Sequence, residues 1–132
     1  MKRRVVITGM GTVNPIGNNL EESWENIKKG VCGIGPITQI DVTDHAVKLA
    51  GEVKNFSTEG IIEKKEARRM ERFSQLALVS AVEAFNQSGL DMEKEDALRC
   101  GVVFSSGIGG LNCTENNYKT GQRRGFDKIS PF

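Results

Sequence analysis

The groups in this sequence with reactive or ligand-holding potential are three cysteines, one histidine, two glycine-rich turns and a cluster of basic residues. Thiol catalysis runs through the thiolate, which needs a cation, a histidinium or a helix N-terminus beside it near neutral pH. Cys32 lies in a glycine loop and Cys100 stands just before an apolar run, whereas Cys113 falls in the first turn of an expected helix. Only Cys113 therefore has a setting that could activate a thiol, and even there a packed, unreactive thiol is the stronger reading. His45 is the sole histidine and has no visible catalytic or metal partner, so a turn or surface role suits it better than proton transfer. No Ser-His-Asp or Cys-His-Asn set can be assembled.

Gly9-Met10-Gly11 follows the β-branched run Val5-Val6-Ile7 and invites comparison with a dinucleotide-binding turn. That fingerprint needs G-x-G-x-x-G opening a helix, but its third glycine position is Asn14, followed by Pro15. A structural tight turn is the better reading. The second turn, Ser105-Ser106-Gly107-Ile108-Gly109-Gly110, leads from an apolar run into a polar helix and lacks the G-K-[ST] ending of a phosphate loop. It is either another tight turn or a place where the backbone approaches a ligand, with Ile108 as its only large side chain. Lys65, Arg68, Arg69 and Arg72 recur at helical spacing with few acidic neighbours on their stripe. Such a stripe is commonly a solvated helix face, but its density also suits an acidic protein partner.

The elements that must position these groups can be read from periodicity. Val5-Val6-Ile7 and Gly101-Val102-Val103-Phe104-Ser105 are continuously apolar, which predicts strands buried on both faces of a parallel sheet. Asn18 or Asn19 caps a helix carrying Leu20, Trp24 and Ile27 on one face, with Gly30 as its left-handed stop. Val31 to Pro36 reads as loop, and Leu49 to Val53 as a short strand. A long helical stretch runs from about Ile61 to Gln87 and closes at Gly89. Its wide apolar surface, including Phe73, Ala77, Val79 and Ala81, predicts burial. Leu76 would fall beside the basic stripe on a straight helix, so a break is expected between Arg69 and Phe73. A polar helix follows from Leu111 to about Lys119, then a loop-like end from Gly121 to Phe132. Alternating strands and helices indicate an α/β layer fold.

The length of 132 residues and a hydrophobic share of 38% suit one domain. With 18 basic and 17 acidic residues the formal net charge is +1, which argues against bulk nucleic-acid or membrane binding. An odd number of dispersed cysteines without a C-x-x-C pair disfavours a disulfide framework or thiolate zinc site and suits a reducing cytoplasm. The apolar run after Lys2-Arg3-Arg4 is broken by Gly9 and Gly11, too early for a signal-peptide core.

Five segments taken in order carry a family resemblance: residues 1–11, Asn14-Pro15-Ile16-Gly17, Arg68-Arg69-Met70, Gly107-Ile108-Gly109-Gly110, and Lys128-Ile129-Ser130-Pro131-Phe132. Together they resemble the β-ketoacyl-acyl-carrier-protein synthases along the whole chain. The Gly-Ile-Gly-Gly turn is similar to the type II branch, which elongates longer acyl chains in fatty-acid synthesis. The resemblance implies a thiolase-like α/β fold with five layers, α-β-α-β-α, in a homodimer. Residues 1–132 would form most of its N-terminal half, ending before the nucleophilic cysteine.

The implied activity is acyltransferase chemistry: acyl transfer from a carrier protein to cysteine, decarboxylation of malonyl-carrier protein, and Claisen attack on the thioester. No separate cofactor is implied, since acyl groups arrive on the phosphopantetheine of acyl carrier protein, and neither nucleic acid nor membrane is an expected partner. Neither the family's nucleophile nor its two histidines matches a residue here, so no catalytic residue is assigned and the chain alone is expected not to condense. Gly107, Ile108 and Leu111 match the family's acyl-pocket wall, with the residue at Ile108 acting as a gate. Lys65, Arg68, Arg69 and Lys128 match its carrier-protein surface, where Asp127 departs from a commonly basic position. A polyketide ketosynthase, a non-catalytic chain-length partner of the same fold, and a nucleotide-binding α/β module are the alternatives.

Overall fold

In the computed structural model the chain forms α1 (Leu20–Lys28), β1 (Ile34–Pro36), β2 (Leu49–Gly51), α2 (Lys64–Ala67), α3 (Arg72–Ser88) and α4 (Leu111–Arg124). Two 3₁₀ turns, Ala97–Arg99 and Phe126–Lys128, complete the regular structure among the described residues, which are 3–130. Met1, Lys2, Pro131 and Phe132, which carry part of the sequence resemblance, lie outside the described residues.

Local chemistry explains the helix ends. The Asn19 side chain accepts from the Glu22 N–H at 2.8 Å, and the Glu22 carboxylate accepts from the Asn18 N–H at 2.7 Å. This is a capping box displaced by one residue, satisfying amides that the helix itself leaves open. Gly30 and Gly89 follow α1 and α3 at φ 68° and 67°, the left-handed conformation that ends a helix cheaply only at glycine. The expected break is present: α2 stops at Ala67, and the chain re-enters helix at Arg72. Leu76 and the basic residues consequently belong to different segments.

The strands differ from expectation. Val31 to Pro36 is not all loop, because Ile34–Pro36 pairs antiparallel with Leu49–Gly51, opposing Gly35 to Ala50. Glu52 secures the far side of this hairpin: its carboxylate accepts from the Thr38 hydroxyl at 2.7 Å and the Thr38 and Gln39 amides at 3.0 and 3.2 Å. Those bonds, led by the Thr38 hydroxyl, hold its pKa below the ordinary carboxylate value. Val5-Val6-Ile7 and Gly101–Ser105 form no ladder among the described residues, and Val5, Ile7, Val102 and Val103 are exposed rather than buried on both faces. A buried parallel strand needs partners on each edge and layers on each face, which these segments lack here. The end of the chain also departs from a plain loop, since α4 continues to Arg124 and Phe126 folds back over the buried Gly121.

Both of those segments nevertheless lie along α3. Gly9 sits against Ala84 and Ser88, and Gly11 against Ser80 and Ala84, so closely that a methyl at either glycine would overlap a helix carbonyl oxygen. The tight turn expected at Gly9-Met10-Gly11 is thus a close backbone approach. Side chains of α3 then satisfy the amides of the docked segment. Gln87 accepts from the Met10 N–H at 2.6 Å; Glu83 accepts from Thr12 N–H at 2.9 Å and from Leu20 N–H at 2.7 Å. Asn14 completes the join, closing a turn with Gly17 and donating to the Ser23 hydroxyl at 2.8 Å. Residues 101–106 pass the same helix from its C-terminal to its N-terminal end, in the same direction as residues 9–13, and two apolar clefts open between these runs.

Burial is thin. Ile62 and Val79 are the buried apolar side chains and Ser23 the buried polar one among the described residues. The accessible surface is 11161 Å², against about 6,900 Å² for a self-contained domain of this size.

Candidate carrier-binding and acyl-gate site

Two neighbouring features hold the residues singled out from the sequence: the break between α2 and α3, and the turn that opens α4. Lys65 lies on α2, while Arg68 and Arg69 occupy the break, all three exposed. Arg72 leaves the stripe: its guanidinium donates to the Val53 carbonyl at 3.0 Å and lies 5.4 Å from the Phe56 ring centre. Arg68 and Arg69 line a cleft of about 320 Å³ with Glu71, Asn112, Cys113 and Ser130. Lys128, two residues before Ser130, pairs with Asp127 at 2.8 Å, and both side chains are exposed. The chain therefore brings Arg68 and Arg69 together with the tail that carries Lys128, and Asp127 takes part of the positive charge there.

The turn is built by its glycines and one serine. Ser106 Oγ accepts from the Gly109 N–H at 3.1 Å, and Gly109 adopts φ 80°, which a branched residue would resist. Gly110 is the N-cap of α4, where its carbonyl accepts from the Thr114 amide at 3.1 Å. Gly107 has open space around it, and Ile108 and Leu111 are exposed, Ile108 by 77%. One of the apolar clefts, about 560 Å³, is walled by Phe73, Ala77, Val102, Phe104 and Ser106 and ends next to this turn without including Gly107, Ile108 or Leu111.

Cys113 does occupy the first turn of α4, but its surroundings oppose activation. The Glu71 carboxylate accepts its thiol hydrogen and, with burial and the carboxylate's own charge, pushes the thiol pKa up. Asn117 Nδ2 donates to the sulfur at 3.3 Å. Cys32 and Cys100 are exposed free thiols, and the His45 amide closes a turn onto the Val42 carbonyl at 3.0 Å. No group of three or more His, Cys, Asp or Glu suited to a metal occurs among the described residues. No helix there is long and apolar enough to cross a membrane. In the sequence Glu71 is only an acidic residue lying off the basic stripe, and its reach to α4 is a tertiary fact.

The family model for the β-ketoacyl synthase N-terminal domain matches residues 2–131. A 3-oxoacyl-(acyl-carrier-protein) synthase 2 of Staphylococcus aureus (strain COL) is 51% identical over 130 residues, covering 98% of this chain and 31% of that relative. The synthase 2 of Vibrio cholerae is 42% identical over 131 residues, 99% of this chain and 32% of its own. Among solved structures, the ishigamide ketosynthase/chain length factor superposes with a TM-score of 0.83 at 25% identity, covering 99% of this chain and 33% of that one. A ketosynthase bound to its type II PKS acyl-carrier protein and to the hexaketide gives 0.76 at 22% identity, covering 98% and 33%. The chain thus spans about a third of the length of these relatives. With a thiolase-like fold and a family match along nearly its whole length, it belongs to the β-ketoacyl synthase family, to that family's N-terminal domain.

Proposed function

We propose that this chain is the N-terminal part of a 3-oxoacyl-acyl-carrier-protein synthase 2, an acyltransferase that elongates acyl-carrier protein by decarboxylative condensation with malonyl-carrier protein in fatty-acid synthesis. The observation that carries the reading is 51% identity across 98% of the chain to relatives of that name. The segment supplies two working surfaces and no nucleophile. Lys65, Arg68, Arg69 and Lys128 receive the acidic carrier protein, whose phosphopantetheine delivers the acyl group, so no other cofactor is required. Gly107, Ile108 and Leu111 form a wall of the acyl pocket, with Ile108 as a movable gate on its glycine turn. The working protein is a cytoplasmic homodimer without nucleic-acid or membrane partners. The 132-residue chain alone does not condense.

Exposed basic residues at a chain break suit this role, because rim charges mainly steer encounter and fix orientation. The test uses the whole protein that carries this segment. Arg68→Glu with Arg69→Glu raises the KM for acyl-carrier protein at every chain length, and Ile108→Phe selectively slows long acyl substrates. Unchanged KM removes the docking assignment, and equal losses for short and long chains remove the gate.

A polyketide ketosynthase, or a chain-length partner without a nucleophile, is the second reading, favoured by the 0.83 TM-score with the ketosynthase/chain length factor. The acyl carrier and chain length accepted by the whole protein separate it from the first.

A further inference from the structure

Glu71 touches both surfaces just assigned: it lines the cleft with Arg68 and Arg69 and lies against Gly110. It follows Arg68, Arg69 and Met70 in the break and stands at the N-cap of α3 with an extended backbone, φ −65° and ψ 152°. Glutamate is not among the side chains that favour the N-cap, and Glu71 makes no capping bond to its own helix. Its carboxylate instead crosses to α4, where it accepts the Cys113 thiol hydrogen while Asn117 donates to the same sulfur at 3.3 Å. It also fills the space beside Gly110. A Cβ there would lie 2.6 Å from Glu71 Cδ and 2.9 Å from Oε2, so residue 110 has to be glycine while the carboxylate stays in place.

We propose that Glu71 is a positioning residue that fixes the Gly107–Gly110 turn against the Arg68–Arg69 segment and thereby sets the acyl-chain preference of the gate. The inference rests on the gate reading above and adds to it the residue that holds the turn. The Ser106–Gly109 bond closes the turn on itself, and a side chain would find room on its other glycines: a Cβ at Gly107 would meet nothing within 4 Å, and one at Gly109 would meet the Phe73 ring at 3.9 Å. Gly110, at its base, is the point where a neighbouring segment presses on it. The flexible end of Glu71 yields readily, so a methyl at Gly110 would expel the carboxylate rather than break the backbone. Deleting the carboxylate and displacing it should then have the same effect.

The experiment measures kcat/KM for short and long acyl-carrier substrates in the whole protein carrying this segment, with Ile108→Phe as the gate control. Glu71→Ala and Gly110→Ala are each expected to change the long-to-short ratio by about threefold or more, and the double variant by no more than either single one. Glu71→Gln, which keeps an acceptor oxygen, brings the ratio back toward the wild-type value. If Glu71→Ala does not fold, Cys113→Ala removes the thiol donor instead and shifts the ratio in the same direction. A changed ratio in Ile108→Phe with no change in the Glu71, Gly110 and Cys113 variants overturns this inference and leaves the gate standing. Additive effects of Glu71→Ala and Gly110→Ala overturn it as well. An unchanged ratio in Ile108→Phe removes the gate reading, and this one with it.

Discussion

A thiol in the first turn of a helix normally gains acidity, because the aligned amides favour a negative charge beside them. At Cys113 the Glu71 carboxylate works the other way, accepting the thiol hydrogen and repelling the thiolate. The sign is clear: a raised pKa keeps the thiol protonated, and the bond to Glu71 is lost as pH rises through that raised value. Iodoacetamide at pH 8 should therefore modify exposed Cys32 and Cys100 before Cys113, as read by peptide mass spectrometry. Glu71→Ala should speed Cys113 severalfold, and equal rates in both proteins would contradict the assigned contact. The sequence placed Cys113 on its helix correctly, because periodicity and a preceding glycine turn are local signals. It could not show the carboxylate, which arrives from a segment some forty residues earlier and is folded across by the α2–α3 break.

The organising element is α3, which holds its neighbours through polar side chains as much as through its apolar face. Glu83 alone ties residues 12 and 20 to the helix, accepting one amide from each. Glu83→Ala would strand both part-buried donors, at a cost of about 1–3 kcal/mol for an unsatisfied group. Chemical denaturation of the whole protein should show that loss, whereas Glu83→Gln should retain part of the bonding; no change in Glu83→Ala would sink the assignment. Helix ends and the break were readable because Asn19, Gly30, Gly89 and the misplaced Leu76 act within a few residues of themselves. The two apolar runs were misjudged as buried strands for a related reason. A β-branched run reports a tendency, while a ladder depends on distant partners, and none forms for residues 5–7 or 101–105 among the described residues. The short β1–β2 hairpin was half missed because glycines around Ile34 and Gly35 masked the pairing. Helical spacing alone marked the basic stripe of Lys65, Arg68 and Arg69 as a surface suited to an acidic partner, whereas the assignments of Lys128 to that surface and of Ile108 as a gate came through resemblance to a family.

At the scale of the whole molecule, surface is the dominant fact: roughly 4,000 Å² more is open than in a compact monomer of this size. Exposed Val5, Ile7, Val102 and Val103 beside unpaired backbone form the kind of patch that seeks a partner. The 132-residue chain expressed by itself should therefore self-associate, and light scattering at micromolar concentration should show species larger than a monomer. A clean monomer would count against that account. The docking of residues 9–12 on α3 has a different consequence. Two glycines, two positions apart, face helix residues 80, 84 and 88, so the backbone itself is gauged against the helix. A slip by one residue would drive Met10, or the Thr8 and Thr12 side chains, into spaces too small for a methyl group. The segment can thus be seated in one register only, and α3 acts as a ruler that rejects neighbouring alignments by volume, with no strand ladder needed to set them.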